Sequence, residues 1–311
     1  MRKFHCMDQN RLIYSKDNHI YFNEKPQNIL QIKDVLPDIF SLLKRLLRNG
    51  IHAVKEYNNT LIVTVKGKII LFQDGKLLKE IEIERGSRPL RDGISCLENK
   101  MYYGDYWSNS QRETVNIYRV DLQTFKKEIF YTFRYVRHIH FIQPDKTNKD
   151  VLIIGTGDSD SESGIYALNV KTKDFSVIAE GSQKFRAVSI LQENNNLFWG
   201  SDDPDSENYI YQLNRNTQEL RQICKIDGPA YYSEKNKKGD MLIATTIEDR
   251  KRHKAIIYRS IDKGQSWSVY KEFRKDILSC KYFGYGIVEF IDGQEYSEEL
   301  FYNLIGLREM K

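Results

Sequence analysis

The segment Leu152-Ile153-Ile154-Gly155-Thr156-Gly157-Asp158 recurs in related form 45 residues later at 197–203 (LFWGSDD) and after a further 45 residues at 242–248 (LIATTIE). Looser copies begin at Leu61, Met101 and Leu300, so six copies follow one another at intervals of 40, 51, 45, 45 and 58 residues. Units of this length, each too small to bury its own apolar face, are typical of four-stranded propeller blades. The repeat predicts an all-β chain that folds as a six-bladed β-propeller.

A second motif, an Ile-Tyr pair that leads into a polar turn, follows four copies of the repeat at 117, 165, 210 and 257, and Leu71-Phe72 is a degenerate version. The sixth copy has no such pair downstream, but Leu12-Ile13-Tyr14 near the amino terminus supplies one. Because a ring of sheets leaves open edges unless its termini share a blade, we predict that N-terminal strands close the last blade. The resulting single domain, 1–311, contains blades at about 51–83, 93–133, 137–180, 185–226, 229–273 and 281–307, the last completed by 11–31.

One segment, Leu36 to Arg48, departs from the strand pattern. Its apolar residues recur at helical spacing, Pro37 lies in its first turn and Gly50 follows its end. We therefore predict one inserted amphipathic helix at 36–48. A single apolar stripe usually faces the core, so the helix is expected to pack on the propeller, with the docking of a partner as the alternative.

Composition excludes several classes of protein. The 311 residues are 40% hydrophobic and 29% charged, without an uncharged apolar run long enough for a membrane-spanning helix. Cys6, Cys96, Cys224 and Cys280 are widely spaced and form no CxxC pair, which argues against a zinc ribbon or a disulfide framework. The net charge of +5 is dispersed rather than collected in a basic tract. We expect a cytoplasmic protein that is monomeric and binds neither nucleic acid nor membrane.

The segment Ser260-Ile261-Asp262-Lys263-Gly264-Gln265-Ser266-Trp267 matches the pattern Ser-x-Asp-x-Gly-x-x-Trp. It resembles the Asp-box (BNR repeat) of sialidases and related six-bladed propellers, and it lies at the turn between the third and fourth strands, where that family carries it. The wider chain resembles the BNR-like branch of sialidase-like propellers. The resemblance implies the propeller architecture and a structural role for this turn.

The two ends of the predicted blades differ in chemistry. Turns between first and second strands are rich in Asn, Lys and Gly, which satisfy turn geometry. The ends of the second strands and the connections between blades carry acids, arginines, histidines and aromatic residues, the usual equipment of a sugar site. The predicted catalytic residues are Asp105, Asp158, Asp203 and Glu248. The predicted substrate-binding residues are Arg88, Tyr106, Trp107, Arg137, His138, His140, Gln183, Arg186, Trp199, Asp202 and Tyr231.

His138 and His140 are two residues apart on a predicted strand, so both side chains point to one face. Together with Asp105 or Asp158 they could bind a divalent metal. Spacing identifies no third and fourth ligand, and histidines that bond to sugar hydroxyls explain the pair more simply. We therefore predict no metal and no cofactor.

Three functions fit these residues. The first is a glycoside hydrolase that acts on an anionic or polyhydroxylated sugar or glycoconjugate, with the carboxylates as acid, base or nucleophile. The second is a non-catalytic propeller that binds a glycan or a protein through the same residues, because fold does not determine function. The third is a metal-dependent polysaccharide lyase with its metal at His138 and His140.

Overall fold

The structure is a computed structural model that describes residues 2–8, 11–22, 25–248, 252–292 and 302–310. Strands make up 53% of it and helices 8%, and the predicted fold class, an all-β six-bladed β-propeller, is confirmed. No helix among the described residues has the length and apolarity needed to cross a bilayer.

In the described part of the chain, six sheets have four strands or more, and within each of them the strands pair in chain order. The first sheet comprises β1 (Lys3–Asp8), β2 (Arg11–Lys16), β3 (His19–Phe22) and β4 (Lys25–Gln31). The second comprises β5 (Ala53–Tyr57), β6 (Thr60–Val65), β7 (Lys68–Gln73) and β8 (Lys76–Glu82). The third comprises β9 (Ile94–Leu97), β10 (Lys100–Gly104), β11 (Val115–Asp121) and β12 (Lys127–Phe133).

The next two sheets comprise β13 (His138–Pro144), β14 (Val151–Gly157), β15 (Gly164–Asn169) and β16 (Phe175–Glu180); and β17 (Leu191–Glu193), β18 (Asn196–Gly200), β19 (Asn208–Asn214) and β20 (Leu220–Ile226). The sixth comprises β21 (Ala230–Lys235), β22 (Met241–Thr245), β23 (Lys254–Ser260) and β24 (Ser268–Lys275). The strands β25 (Ile287–Phe290) and β26 (Tyr302–Ile305) form a separate pair, and β27 (Leu307–Glu309) adds to the outer edge of β24.

The chain divides into two compact units. One consists of Glu84–Ser233 with Gly264–Trp267, and the other of Met1–Ile83, Glu234–Lys263 and Ser268–Lys311. Within the first unit, apolar side chains of β13 to β15 pack against those of the sheets before and after them, and Trp199 is fully buried among them. All the chemistry described below lies in this first unit.

The Ile-Tyr pairs lie on the third strand of their sheets, and the isoleucine of each pair is fully buried. In five sheets the fourth strand carries one extra residue opposite this pair, a β-bulge. The bulges fall at Leu71/Phe72, Ile117/Tyr118, Ile165/Tyr166, Ile210/Tyr211 and Ile257/Tyr258. The second motif of the sequence thus marks a recurrent irregularity of the fold.

The N-terminal strands pair with one another in the first sheet. Residues 11–31, which were expected to complete the blade at 281–307, form this sheet together with β1. Ile13 and Tyr14 lie on its second strand, and the third strand carries Ile20-Tyr21. Residues 293–301 of the predicted last blade lie outside the described residues.

The N-terminal strand nevertheless contacts the C-terminal strand pair. Asn303 accepts a hydrogen bond from the main-chain nitrogen of Phe4 (2.8 Å) and donates one to its carbonyl oxygen (2.6 Å), and Lys3 forms an ion pair with Glu289 (2.8 Å). An isolated bridge joins Cys6 to Asp292. Among the described residues, the N-terminal strand and the C-terminal strand pair are therefore joined by side-chain bonds and by one main-chain bridge.

Replacing Asn303 with alanine is expected to lower the free energy of unfolding by about 2 kcal/mol, because it removes two hydrogen bonds to the main chain of Phe4. Denaturant titration of the full chain measures this loss. Asn216→Ala removes an amide from an exposed turn and serves as the matched control. Equal stability of the two variants would show that the contact between the termini contributes nothing.

The inserted helix has the predicted position but not the predicted packing. A 3-10 turn, Asp38–Phe40, leads into helix α1, Ser41–Leu47. The apolar residues of this segment are exposed, from 42% for Leu43 to 85% for Ile39. Its polar side chains make the contacts instead: Lys44 pairs with Asp38 (2.6 Å), and Arg45 with Asp276 (2.6 Å). The expectation that the apolar stripe packs on the propeller is therefore corrected.

Candidate functional site

Two adjacent strands of the fourth sheet present the central residues of the site. His138 begins β13 and pairs with Gly157, the last residue of β14, which Asp158 follows. The register shifts between Ile139 and Phe141, so His140 occupies a bulge. The imidazole rings of His138 and His140 consequently lie together, with their Nε2 atoms 3.0 Å apart.

Asp158 is the centre of a charged cluster. Its Oδ2 atom lies 2.8 Å from Nη1 of Arg137, and its Oδ1 atom lies 3.2 Å from Nη2 of Arg186. The same Oδ1 atom is 3.3 Å from Nε2 of both His138 and His140. The carboxylate keeps 15% of its surface exposed, whereas both histidines are buried. One carboxylate thus connects two guanidinium groups and two imidazoles at the edge of solvent.

Arg186 joins this cluster to a second carboxylate and to the main chain. Its Nε atom donates to Oδ2 of Asp202 (3.1 Å), and its Nη1 atom donates to the carbonyl oxygen of Asp158 (3.0 Å). The side-chain nitrogen of Gln183 donates to that same carbonyl (2.6 Å), while its Oε1 atom is buried without a hydrogen-bond partner in the described part of the chain. Arg186 and Gln183 therefore fix the loop that carries Asp158.

Two aromatic residues border the histidines. The ring of Tyr106 lies 4.3 Å from that of His138, and the guanidinium of Arg85 lies over the Trp107 ring at 5.4 Å. Both aromatic side chains are half-buried, so part of each ring faces solvent. Such partly exposed aromatic faces can stack on the apolar face of a sugar or on a planar ligand.

The charges in the cluster follow from burial and contact. Burial alone would raise the pKa of Asp158, but its contacts with His138 and His140 and the neighbouring positive charges hold it well below its usual range. Burial lowers the pKa of His140 to about 4, although the nearby Asp158 opposes that shift. At neutral pH, Asp158 is a carboxylate and His140 a neutral imidazole.

The three predicted catalytic carboxylates of the first unit have different surroundings. Asp105 is buried and accepts a hydrogen bond from the main chain of Asn116 (2.9 Å), and burial raises its pKa to about 6. Asp203 caps its own turn by accepting from the main chain of Asp205 (3.0 Å). Of these three described carboxylates, Asp158 alone has its contacts in the charged cluster. Glu248 belongs to the other compact unit, and the catalytic roles of the four acids stay predictions.

Most predicted substrate-binding residues lie in or beside the cluster, and a few do not. Trp199 was predicted to bind substrate, but its ring is fully buried in the core and its indole nitrogen donates to the carbonyl of Lys184 (2.6 Å). Tyr231 packs edge-on against Tyr232 on β21. Arg88 is half-buried in the connection between β8 and β9. The residues that the structure brings together are Tyr106, Trp107, Arg137, His138, His140, Asp158, Gln183, Arg186 and Asp202.

Sequence reasoning missed three groups that shape the site. The carbonyl oxygens of Trp107 and Ala187 lie 3.0 Å from the Nδ1 atoms of His138 and His140, respectively. Main-chain acceptors leave no signature in a sequence. Gly157 is the third, because a Cβ atom there would lie 2.5 Å from Cε1 of His140. The second glycine of the Gly-Thr-Gly-Asp segment was the available signal for this close approach.

Comparisons with known proteins support the fold. No family model matches the chain, and no curated protein matches it in sequence. Among solved structures it is similar to the extracellular domain of a protein described as a hybrid two component system of B. thetaiotaomicron, with a TM-score of 0.61 and 13% identity. That alignment covers 98% of this chain and 37% of the other, so the chain spans little more than a third of that protein's length.

Two further structures have the same level of similarity. One is a chain of a mitotic checkpoint complex, with a TM-score of 0.55, 9% identity and coverage of 89% of this chain and 80% of the other. The second is a protein described as TolB from Agrobacterium tumefaciens, with a TM-score of 0.51, 10% identity and coverage of 73% and 82%. At these identities the similarity establishes a β-propeller fold and no activity.

Proposed function

We propose that the protein binds an acidic carbohydrate or glycoconjugate at the cluster of Arg137, Asp158 and Arg186. The observation that carries this proposal is the state of Arg137. Its side chain is 35% exposed and its Nη1 atom pairs with Asp158, while its Nε atom is buried and its Nη2 atom has no partner among the described residues. An arginine held on one side by a carboxylate and open on the other is suited to a carboxylate or sulfate of a ligand.

The surroundings of Arg137 support a sugar as the rest of the ligand. Tyr106 and Trp107 are half-buried aromatic residues beside the cluster, and aromatic residues of this kind commonly stack on sugar rings. Asp158 and Asp202 offset the charges of Arg137 and Arg186, and Arg85 beside Trp107 adds a further positive charge. The cluster can therefore attract an anion without a large uncompensated charge of its own.

Hydrolysis by a glycoside hydrolase that uses two carboxyl groups is the second candidate. Asp158 and Asp202 both contact Arg186, so two carboxylates lie on one guanidinium. Glycoside hydrolysis by a carboxyl pair needs one group that holds a proton for the leaving oxygen. The low pKa of Asp158 removes it from that role, and this makes binding the better-supported function.

The test measures binding by calorimetry against matched acidic and neutral oligosaccharides. Arg137→Gln is expected to weaken the acidic ligands by about 10- to 100-fold, the value of one charge-assisted contact, and to leave neutral ligands almost unchanged. Arg134→Gln removes an exposed arginine three residues away and is the control. Equal effects of both substitutions, or no preference for acidic ligands, would contradict the proposal.

The same incubations, analysed for cleavage products, separate binding from hydrolysis. Intact oligosaccharide after prolonged incubation is the expected result. Products that disappear in Asp158→Asn would instead favour the hydrolase.

A further inference from the structure

His138, His140 and Asp158 place three potential ligand atoms within 4.8 Å of one another. The two Nε2 atoms are 3.0 Å apart, and each is 3.3 Å from Oδ1 of Asp158. The three atoms form a nearly equilateral triangle on two adjacent strands. Both histidines are more than nine-tenths buried, with exposures of 5% and 2%.

The hydrogen bonds of the two Nδ1 atoms, which lie on the far side of each ring, determine which species can lie between the three ligand atoms. Nδ1 of His138 lies 3.0 Å from the carbonyl of Trp107, and Nδ1 of His140 lies 3.0 Å from the carbonyl of Ala187. A carbonyl only accepts, so each Nδ1 carries the proton and each Nε2 of a neutral ring presents a lone pair. Two lone pairs and a carboxylate oxygen thus converge with no proton between them. Such an arrangement is repulsive unless a cation lies among the three atoms.

We propose that His138, His140 and Asp158 bind a divalent transition-metal ion of the Zn²⁺ type. Zinc bonds to imidazole nitrogen at about 2.0–2.1 Å, and two nitrogens 3.0 Å apart then subtend an angle of about 95° at the ion. All three ligands therefore occupy one face of the ion and leave its other positions open. Two histidines and one carboxylate in this facial arrangement are an established ligand set for divalent metals.

The groups that surround the three ligand residues make the contacts that are usual around a metal site. A histidine ligand usually donates its second ring N–H to a main-chain carbonyl or a carboxylate, which fixes its tautomer and orientation. Both histidines do so here. The carboxylate of Asp158 is in turn held by Arg137 and Arg186. Those guanidinium groups reduce its attraction for the metal, and they also favour an anionic group at the open positions.

The alternative occupant is a proton, which would convert one imidazole into an imidazolium paired with Asp158. A site that binds a metal ion and a site that holds a proton would behave differently in a metal titration. The metal site depends on these three side chains alone and not on the proposed glycan. The decisive experiment therefore contains no glycan, and its failure leaves the carbohydrate proposal to be judged separately.

The experiment treats the full chain with chelator and titrates it with Co²⁺, followed by displacement with Zn²⁺. One equivalent of Co²⁺ should develop visible d–d absorption, and Zn²⁺ should abolish it and raise the melting temperature. His138→Gln, His140→Ala and Asp158→Asn should each weaken binding by at least about 100-fold, above the effect of losing an outer contact. His253→Ala, which removes an exposed histidine, should bind as the wild type does.

Circular dichroism of each variant establishes that it is folded, and the three substitutions are independent, so a single unfolded variant does not decide the outcome. The proposal is overturned if the wild type gives no stoichiometric cobalt spectrum. It is also overturned if the folded cluster variants bind Co²⁺ as tightly as His253→Ala. In either case the triangle holds a proton.

Discussion

Replacing Gly155 with alanine should lower the free energy of unfolding by about 3 kcal/mol, the upper range for overpacking of a core. An added Cβ atom would lie 2.0 Å from Cε1 of Phe141, whose ring is fully buried and packs in the same cluster as Trp199. The ring has no free space to move into, because a protein core is close-packed. Denaturant unfolding, followed by tryptophan fluorescence, measures the loss.

A double-mutant cycle assigns this loss to the one contact. Phe141→Leu shortens the opposing side chain and should recover about 1–2 kcal/mol in the Gly155→Ala background, the coupling expected of residues in contact. Gly50→Ala is the control, since a Cβ there meets nothing within 4 Å. Additive effects of the two substitutions would show that the clash is not the cause.

Asp145→Asn should cost about 3 kcal/mol at neutral pH, because it leaves a largely buried arginine without its partner. Oδ2 of Asp145 lies 2.6 Å from Nη1 of Arg215, and Oδ1 accepts from the main chain and the hydroxyl of Thr147, both at 2.8 Å. The pair joins the β13–β14 turn to the β19–β20 turn, so it links two neighbouring sheets. Asp205→Asn, at an exposed turn, is the matched control.

The effect of Asp145→Asn should depend on pH in a defined direction. Burial would raise the pKa of Asp145, but the bonds from Arg215 and Thr147 outweigh it and place the pKa below its ordinary value. A depressed folded-state pKa stabilises the protein fully above the unfolded-state value, about 3.9, and the contribution is lost as the pH falls towards the folded-state value. The stability difference between wild type and variant should therefore shrink below about pH 4. A difference that is constant from pH 7 to pH 3 would contradict the assignment.

The sequence was sufficient for the fold because the fold is repetitive. Copies of one strand begin at 152, 197 and 242, and an Ile-Tyr strand follows each copy. The interval between the copies gives the length of a blade directly. In the first sheet the third strand carries Ile20-Tyr21, which has no copy of the first repeat before it, whereas the sequence pattern favoured the more conspicuous Ile13-Tyr14. Strand pairing at the termini depends on local turns, which the spacing of the repeat does not encode.

The sequence could predict the site only for residues whose positions follow from where two paired strands begin and end. His138 and Asp158 meet because β13 begins where its partner β14 ends, and that antiparallel pairing is implied by the repeat. Asp203 and Trp199 occupy comparable positions in the next sheet, yet one caps a turn and the other fills the core. The different environments of Asp203 and Trp199 depend on the hydrogen bonds of the turn and on the packing of the core, respectively. Residue type and spacing alone do not specify either.

The bulge opposite each Ile-Tyr pair leaves one residue of the outermost strand without a partner on the third strand. In three of the sheets this extra residue is Phe130, Ile178 or Ile223. The pairs on either side of Phe130, Ile117 with Tyr131 and Tyr118 with Ile129, are in register, so deleting Phe130 would close the bulge into a regular ladder and shift no other pair. The deletion would remove the local bend of the strand and a side chain of the apolar core. The bulge is therefore a point at which one residue can be gained or lost while the remaining contacts between the two strands are kept.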